Sequence, residues 1–384
     1  MLQIGSVTCY KSISIVMNEL FFELIRVALG NADGLSHIPK PKEWQLLYEM
    51  AKKQSLVGVC FAGVQKLVDS EKEDYCGMNE MQYLTWMGMA AKIQQKNEIV
   101  NKQCVELQKR LDGDGYRNYI MKGQSNAALY GDLQMLRQSG DIDIYLEGGL
   151  ENVLAYAKTF GNVEHVNELE MSVPIYQDTE VEFHYRPFIM RNPFKNRKLQ
   201  TYFDACSEAN FANKVYLHEN ENSWIVAPTT EFNLVHQLAH IHLHLFTEGI
   251  GMRQLMDYYF VIQFSSVSPL KDECVENVKK VISELRLNRF ASALMWVLEH
   301  VFGLEREYML WEPCEKDGRL LLDEVMTGGN FGRYNEEQND RKGKRGYSVW
   351  ALLFRNLRLS RFDRGDWFWG PVWRISHKLT RTKI

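Results

Sequence analysis

Apolar positions recur at helical spacing from Pro41 to Val68, where Trp44, Leu47, Ala51, Leu56, Val59, Val64 and Leu67 are separated by charged residues. An apolar stretch around Ile13 to Leu29 is broken by Asn18, Glu19, Glu23 and Arg26, so it reads as an amphipathic helix and not as a leader or a spanning segment. Met17 offers a second start point beside Met1, and the first sixteen residues then form an extension ahead of the fold. A longer helical pattern covers about Glu80 to Leu111 and stops at Asp112-Gly-Asp-Gly115, where glycine and aspartate supply turn chemistry. The period then changes. Tyr119-Ile-Met121, Ile142 to Leu146 and Val181 to Tyr185 read as strands, Ser125 to Tyr130 as a short helix, and 151 to 160 as helix. Beyond residue 200 the pattern is again mainly helical, and Ala227-Pro-Thr-Thr-Glu231 opens a helix that carries His236, His240 and His244. A glycine-rich polar stretch, Thr327 to Tyr347, reads as a loop. The expected class is α+β: a small mixed sheet embedded in N- and C-terminal helical segments. The expected division is a helical region 1–110, an α/β core 111–200, a helical domain 201–340 that forms part of a cleft, and a tail 341–384.

Composition adds constraints without changing this outline. The chain has 384 residues, 45% hydrophobic, and a net charge of -4, so the overall balance demands neither nucleic acid nor membrane as partner. The tail differs. Arg341, Lys342, Lys344 and Arg345 open a stretch whose only acids are Asp363 and Asp366, interleaved with Trp350, Trp367, Trp369 and Trp373. Such a stretch suits an anionic partner, RNA or a membrane surface, or a subdomain whose aromatics are buried; the aggregation liability of exposed tryptophans favours burial. Seven scattered cysteines without a C-x-x-C spacing argue against a disulfide framework and a zinc knuckle and fit a reducing cytoplasm.

The chemistry concentrates in the middle. Residues two apart on a strand share a face, so Asp141 and Asp143 present two carboxylates side by side while Ile142 and Ile144 face the core. Hard divalent cations such as Mg²⁺ or Mn²⁺ take one or two carboxylates and keep positions for phosphate oxygens. Glu182 and His184 share a face on a later strand, and Glu182 then supplies a third acid to a two-metal site. Upstream, Met121-Lys-Gly-Gln-Ser125 lies at a strand-to-helix turn: Gly123 and Ser125 suit a phosphate cradle, with Lys122 and Arg137 as cations. His236, His240 and His244 stack along one helical face, but no His-Glu-x-x-His pattern accompanies them, so core packing or contact with substrate phosphate is expected before zinc. His184, His236 and His240 are the candidates for substrate contact.

Met121-Lys-Gly, Ala127-Ala-Leu-Tyr130, Arg137, Gly140-Asp-Ile-Asp143 and Val181-Glu-Phe-His-Tyr-Arg186 together resemble the uncharacterised bacterial nucleotidyltransferase family of the polymerase-beta-like superfamily. The likeness extends to Val235-His-Gln-Leu-Ala-His240 and to Arg253 through Asp257. It implies a metal-dependent enzyme that moves a nucleoside monophosphate from a triphosphate to a hydroxyl or amine acceptor. Asp141, Asp143 and Glu182 match the superfamily's acids one by one; the Gly-Ser pair is replaced by Lys122-Gly123, with Ser125 two residues later. Two other functions stay open at this point: a non-catalytic nucleotide-binding or regulatory module on the same fold, and a glycosyltransferase that uses its Asp-x-Asp for a sugar nucleotide. The second is disfavoured, because helices stand where its nucleotide-binding domain belongs.

Overall fold

A computed structural model describes residues 2–71, 75–217, 223–267, 272–328 and 357–363, with 365 and 369; the side chains of 2–14, 71 and 267 are outside the description. It is an α+β protein: a small mixed sheet surrounded by helices. Helix α1 (Leu2–Leu29) runs unbroken past Met17, a buried residue. The helical pattern after Pro41 divides into α2 (Pro41–Gln54) and α3 (Val57–Glu71). Ser55 lies between them at φ 56, a left-handed conformation that ends a helix as a C-terminal glycine would. Helix α4 (Glu80–Gly113) starts from a reciprocal cap: Gln82 N–H donates to Asn79 Oδ1 at 2.9 Å, and Asn79 N–H to Gln82 Oε1 at 3.1 Å.

Strand β1 (Asn118–Met121) leads into a single helical turn, α5 (Gly123–Ala127), then β2 (Ile142–Leu146), α6 (Gly149–Ala157), β3 (Glu170–Val173) and β4 (Val181–His184). The sheet order is β1-β2-β4-β3, with β2 and β4 parallel at the centre and antiparallel partners on both sides. Helix α7 (Pro193–Ala212) is capped by the Asn192 side chain on the Phe194 and Lys195 amides. A two-stranded ribbon, β5 (Lys214–Tyr216) and β6 (Trp224–Val226), precedes α8 (Thr230–Phe246), whose Thr229 cap accepts from Phe232 N–H. Helices α9 (Met252–Val267), α10 (Asp272–Glu284), α11 (Asn288–Val297) and α12 (Glu315–Gly328) follow.

Two apolar clusters hold these elements. The larger joins Phe21 and Ile25 of α1 and Trp44 of α2 to Leu234 of α8, Met256 of α9 and Leu294 of α11, so helices from both ends of the chain share one core. The smaller packs β2 and β4, through Ile142, Ile144, Val181 and Phe183, against Val100, Cys104, Leu107 and Leu111 of α4. Trp86, Ala90 and Ile93 of α4 belong to the larger cluster, so one helix serves both. Of the glycine-rich loop and the tail, residues 329–356 and most of those after 363 lie outside the described residues. The described piece folds back: Arg358 meets Asp323 and Glu324, Arg361 meets Asp317, and Phe362 packs on Phe290. Among the described residues, no helix is long and apolar enough to cross a membrane.

Candidate active site

Helix α4 fixes the chain on which the acids stand. Asn97 Nδ2 donates to the carbonyls of Met135 at 2.7 Å and Arg137 at 2.8 Å, and Ser139 Oγ bonds both Asn97 Oδ1 and Gln124 Oε1. Beside the acid loop, at the same end of the parallel pair, Lys96 Nζ reaches Thr179 Oγ1 at 2.7 Å, which ties down the turn before β4. Asp141 precedes β2 by one residue, and Asp143 is its second member.

Register brings the acids together. On the parallel central pair, Asp143 faces Glu182, while Glu170 of β3 faces His184. The Lys122 ammonium lies 3.0 Å from Asp143 Oδ1, and His184 Nε2 is 2.9 Å from the same oxygen, 3.2 Å from Glu170 Oε2 and 3.8 Å from Glu182 Oε2. An imidazole thus sits among three carboxylates. Burial works against ionising Asp143, but the charge of Lys122 and the hydrogen bond from His184 outweigh it and hold the carboxyl well below the usual range. Burial likewise opposes a charged His184, yet its bonds to Asp143 and Glu182 raise it to about 9, so the ring is protonated at neutral pH. Asp141 is pushed up by the charge of Asp143 and then by burial, and Glu182 is pushed up chiefly by burial.

Lys122 owes its position to an uncommon backbone. It has φ 43, and Gly123 follows at φ 41, so the chain leaves β1 through two consecutive left-handed residues. A lysine there carries strain of order 1–3 kcal/mol, which the Asp143 ion pair helps to hold in place. A Cβ on Gly123 would stand 3.4 Å from the Asp141 carbonyl oxygen, so the turn lies directly against the acid loop. Ser125 is buried behind that turn, its hydroxyl has no partner among the described residues, and it does not line the adjoining cavity.

That cavity, about 750 Å³, is bounded on one side by Lys122, Gly123, Asp141, Asp143, Glu170 and Glu182, and on the other by His240 and His244 of α8 and Arg253, Gln254 and Asp257 of α9. Its size suits a nucleotide-scale ligand. Arg137 lines it too, but its Nε and Nη2 are committed to Asp257 Oδ1 at 2.7 Å and Oδ2 at 2.8 Å. Tyr130 donates to the same Oδ1 at 2.6 Å, which completes a buried network. Among the described residues, Arg137 Nη1 has no partner.

The histidine column divides. His236 does not line the cavity; it is packed among Phe188, Phe203 and Phe232 with Nε2 3.2 Å from the Pro187 carbonyl, and burial, aided by the Lys122 charge, lowers it to about 3. His240 does face the cavity, with His244 Nε2 3.0 Å away, and burial keeps it well below its ordinary value. Glu170, Asn126 and Gln237 are cavity residues that motif reading passed over. Glu170 sits on a four-residue strand among turns, with no long period to announce it.

Asp143, Glu182 and His184 each offer a ligand atom within 4.8 Å of the others, a group that could hold a metal ion. Two of the three donors are carboxylates, whose oxygens suit a hard divalent ion and already need cationic charge beside them; His184 could join them only after giving up its proton. A model of the uncharacterised nucleotidyltransferase family matches residues 40–303, more than half the chain and every acid and cation just described. The chain belongs to that family. Nucleotidyl transfer is therefore its general role, with a nucleoside triphosphate as donor. No curated protein and no solved structure matches the chain.

Proposed function

We propose that the protein transfers a nucleoside monophosphate from a triphosphate to a hydroxyl or amine acceptor in a reaction that depends on Mg²⁺ or Mn²⁺, with Asp141, Asp143 and Glu182 as the catalytic acids. The observation that carries this is the pairing of Asp143 with Glu182 across neighbouring parallel strands, on the wall of a nucleotide-sized cavity. Asp141 and Asp143 hold the metal, and Glu182 completes the set beside the acceptor. A divalent ion bound there supplies positive charge to the phosphoryl oxygens and lowers the pKa of the attacking group. The Gly123 turn admits the phosphate chain close to the backbone, and Lys122 neutralises charge that develops on the departing pyrophosphate. Ser125 stands by as a hydroxyl donor behind the turn. Arg137 holds the rear wall through Asp257 and acts on the nucleotide phosphates through its charge, while His184 keeps Asp143 ionised and oriented. His240 contacts substrate, and His236 supports it from within the core. The acceptor's oxygen or nitrogen bonds to the α-phosphorus as the bond to pyrophosphate breaks.

Incubation with Mg²⁺ and α-labelled triphosphates, with cell extract as acceptor source, should label an acceptor. Asp143→Asn should remove the label. Absence of label for every base, with Mg²⁺ and with Mn²⁺, would sink the reading. One observation favours nucleotide binding without transfer: Lys122 and His184 already neutralise Asp143 internally. A calorimetric titration that shows tight nucleotide binding, indifferent to divalent ions, would select that alternative.

A further inference from the structure

One pair of side chains in the cavity wall has no part in the scheme above. Asn126 of α5 and Gln237 of α8 both line the cavity, and both are buried, 2% and 4% exposed. Gln237 Nε2 donates to Asn126 Oδ1 at 2.7 Å. That bond fixes the sense of both amides, because Asn126 must then present Nδ2, a donor, and Gln237 must present Oε1, an acceptor. Among the described residues neither atom has a protein partner, and neither is sealed away as Arg137 Nη1 and Gln254 Nε2 are. A donor and an acceptor therefore stand side by side, pre-oriented, on a cavity wall. Holding two amides in this way is costly unless a ligand or water completes their bonds.

The chemistry of the missing partner follows. A phosphate oxygen only accepts and an ammonium only donates, whereas a hydroxyl does both from one atom. Position narrows it further. Asn126 follows Lys122 by four residues through the Gly123 turn, both line the same cavity, and the Lys122 ammonium touches Asp143. With the reacting phosphate at Asp143, the next group along a nucleotide is its sugar, while the base extends beyond. We propose that Asn126 and Gln237 form a subsite for a ribose hydroxyl and make the site select ribonucleotides over deoxynucleotides. This inference rests on the nucleotide reading above. A site built around a hydrogen bond to a hydroxyl discriminates strongly against the analogue that lacks it, because its buried polar groups are then left unmatched.

The test measures binding and not turnover. With Mg²⁺ and the full chain, equilibrium dissociation constants are compared for each ribonucleoside triphosphate and its 2′-deoxy and 3′-deoxy forms. The expected result is tighter binding of the ribonucleotide than of one of the two deoxy forms by about tenfold to a hundredfold. That ratio should fall to near one in Asn126→Ala and in the volume-conserving Gln237→Met. Both ligands are measured on the same preparation, so an unfolded fraction cancels from the ratio, and Gln237→Met carries the test where Asn126→Ala fails to fold. Equal binding of ribo and deoxy forms by the wild type, or a ratio that persists in the folded variants, overturns the subsite and leaves the transferase reading intact. No binding of any triphosphate overturns both.

Discussion

Asp143 and Asp257 are both buried, both ionised against the cost of burial, and both paired with cations, yet they belong to different kinds of structure. Asp257 is gripped by both ends of the Arg137 fork and by the Tyr130 hydroxyl, a planar arrangement with little freedom. Asp143 concentrates its contacts on one oxygen, from a lysine and an imidazolium, with further carboxylates close by. A two-pronged pair with one acid is a fastening. A point-charge pair inside a cluster of acids is an arrangement in which one cation can be exchanged for another. Burial and charge alone do not separate the two; the geometry of the pairing and the company of other acids do.

The difference can be broken or sharpened by experiment. The largest effect is expected at Asp143: replacement by Asn should lower transfer about a thousandfold or more, read by label transfer on the folded variant. Asp257→Ala should act in the opposite sense, on the fold. It strands a buried guanidinium, and chemical denaturation should show a loss of about 3–5 kcal/mol. Removing both partners, as Arg137→Met with Asp257→Leu, should recover most of that loss; failure to recover would mean that the pair does more than fasten.

The acid region and the helical wall also differ in how they answer to pH. His236 has a folded value lowered to about 3 against an ordinary 6.5, so the folded protein binds fewer protons than the unfolded chain between those values. Its contribution is fully present above about pH 6.5 and is lost as the pH falls toward 3. His236→Phe should remove up to about 1.4 kcal/mol per pH unit of the acid-side slope in denaturation curves. His184 behaves oppositely: raised to about 9, it stabilises below pH 6.5 and ceases to as the pH climbs through 9. The smallest expected effect is Glu170→Gln, which removes one of its three acidic neighbours and should bring the His184 titration, followed by NMR in metal-free protein, from about 9 toward its ordinary value.

Legibility in the sequence follows the range of the interactions. The strand bearing Asp143 and the one bearing Glu182 and His184 announce themselves by alternation, and the helices α4 and α8 by periodicity and caps. The break at Ser55 was hidden, since a left-handed serine leaves no compositional mark. Strand β3 was hidden because four residues among turns, only Met171 and Val173 of them buried, are too short a run to show a period. The ties of Arg137 to Asp257 and of Asn126 to Gln237 join residues more than a hundred positions apart, and no local pattern encodes them. A cation four residues ahead of an acid suggests a ligand for phosphate; only the packed chain reveals that most of its donors are spent on a wall.

Helix α4 has a consequence for how the molecule comes apart. A rod of 34 residues is about 50 Å long, and its first half is anchored in one apolar cluster and its second half in the other. Neither cluster can loosen without freeing a length of the same rod and slackening the Asn97 and Lys96 clips that hold the acid loop and the turn before β4. Amide hydrogens near the middle of α4 should therefore exchange only when the whole chain opens, as slowly as the most protected amides in either cluster, making that helix the clock by which global unfolding is read.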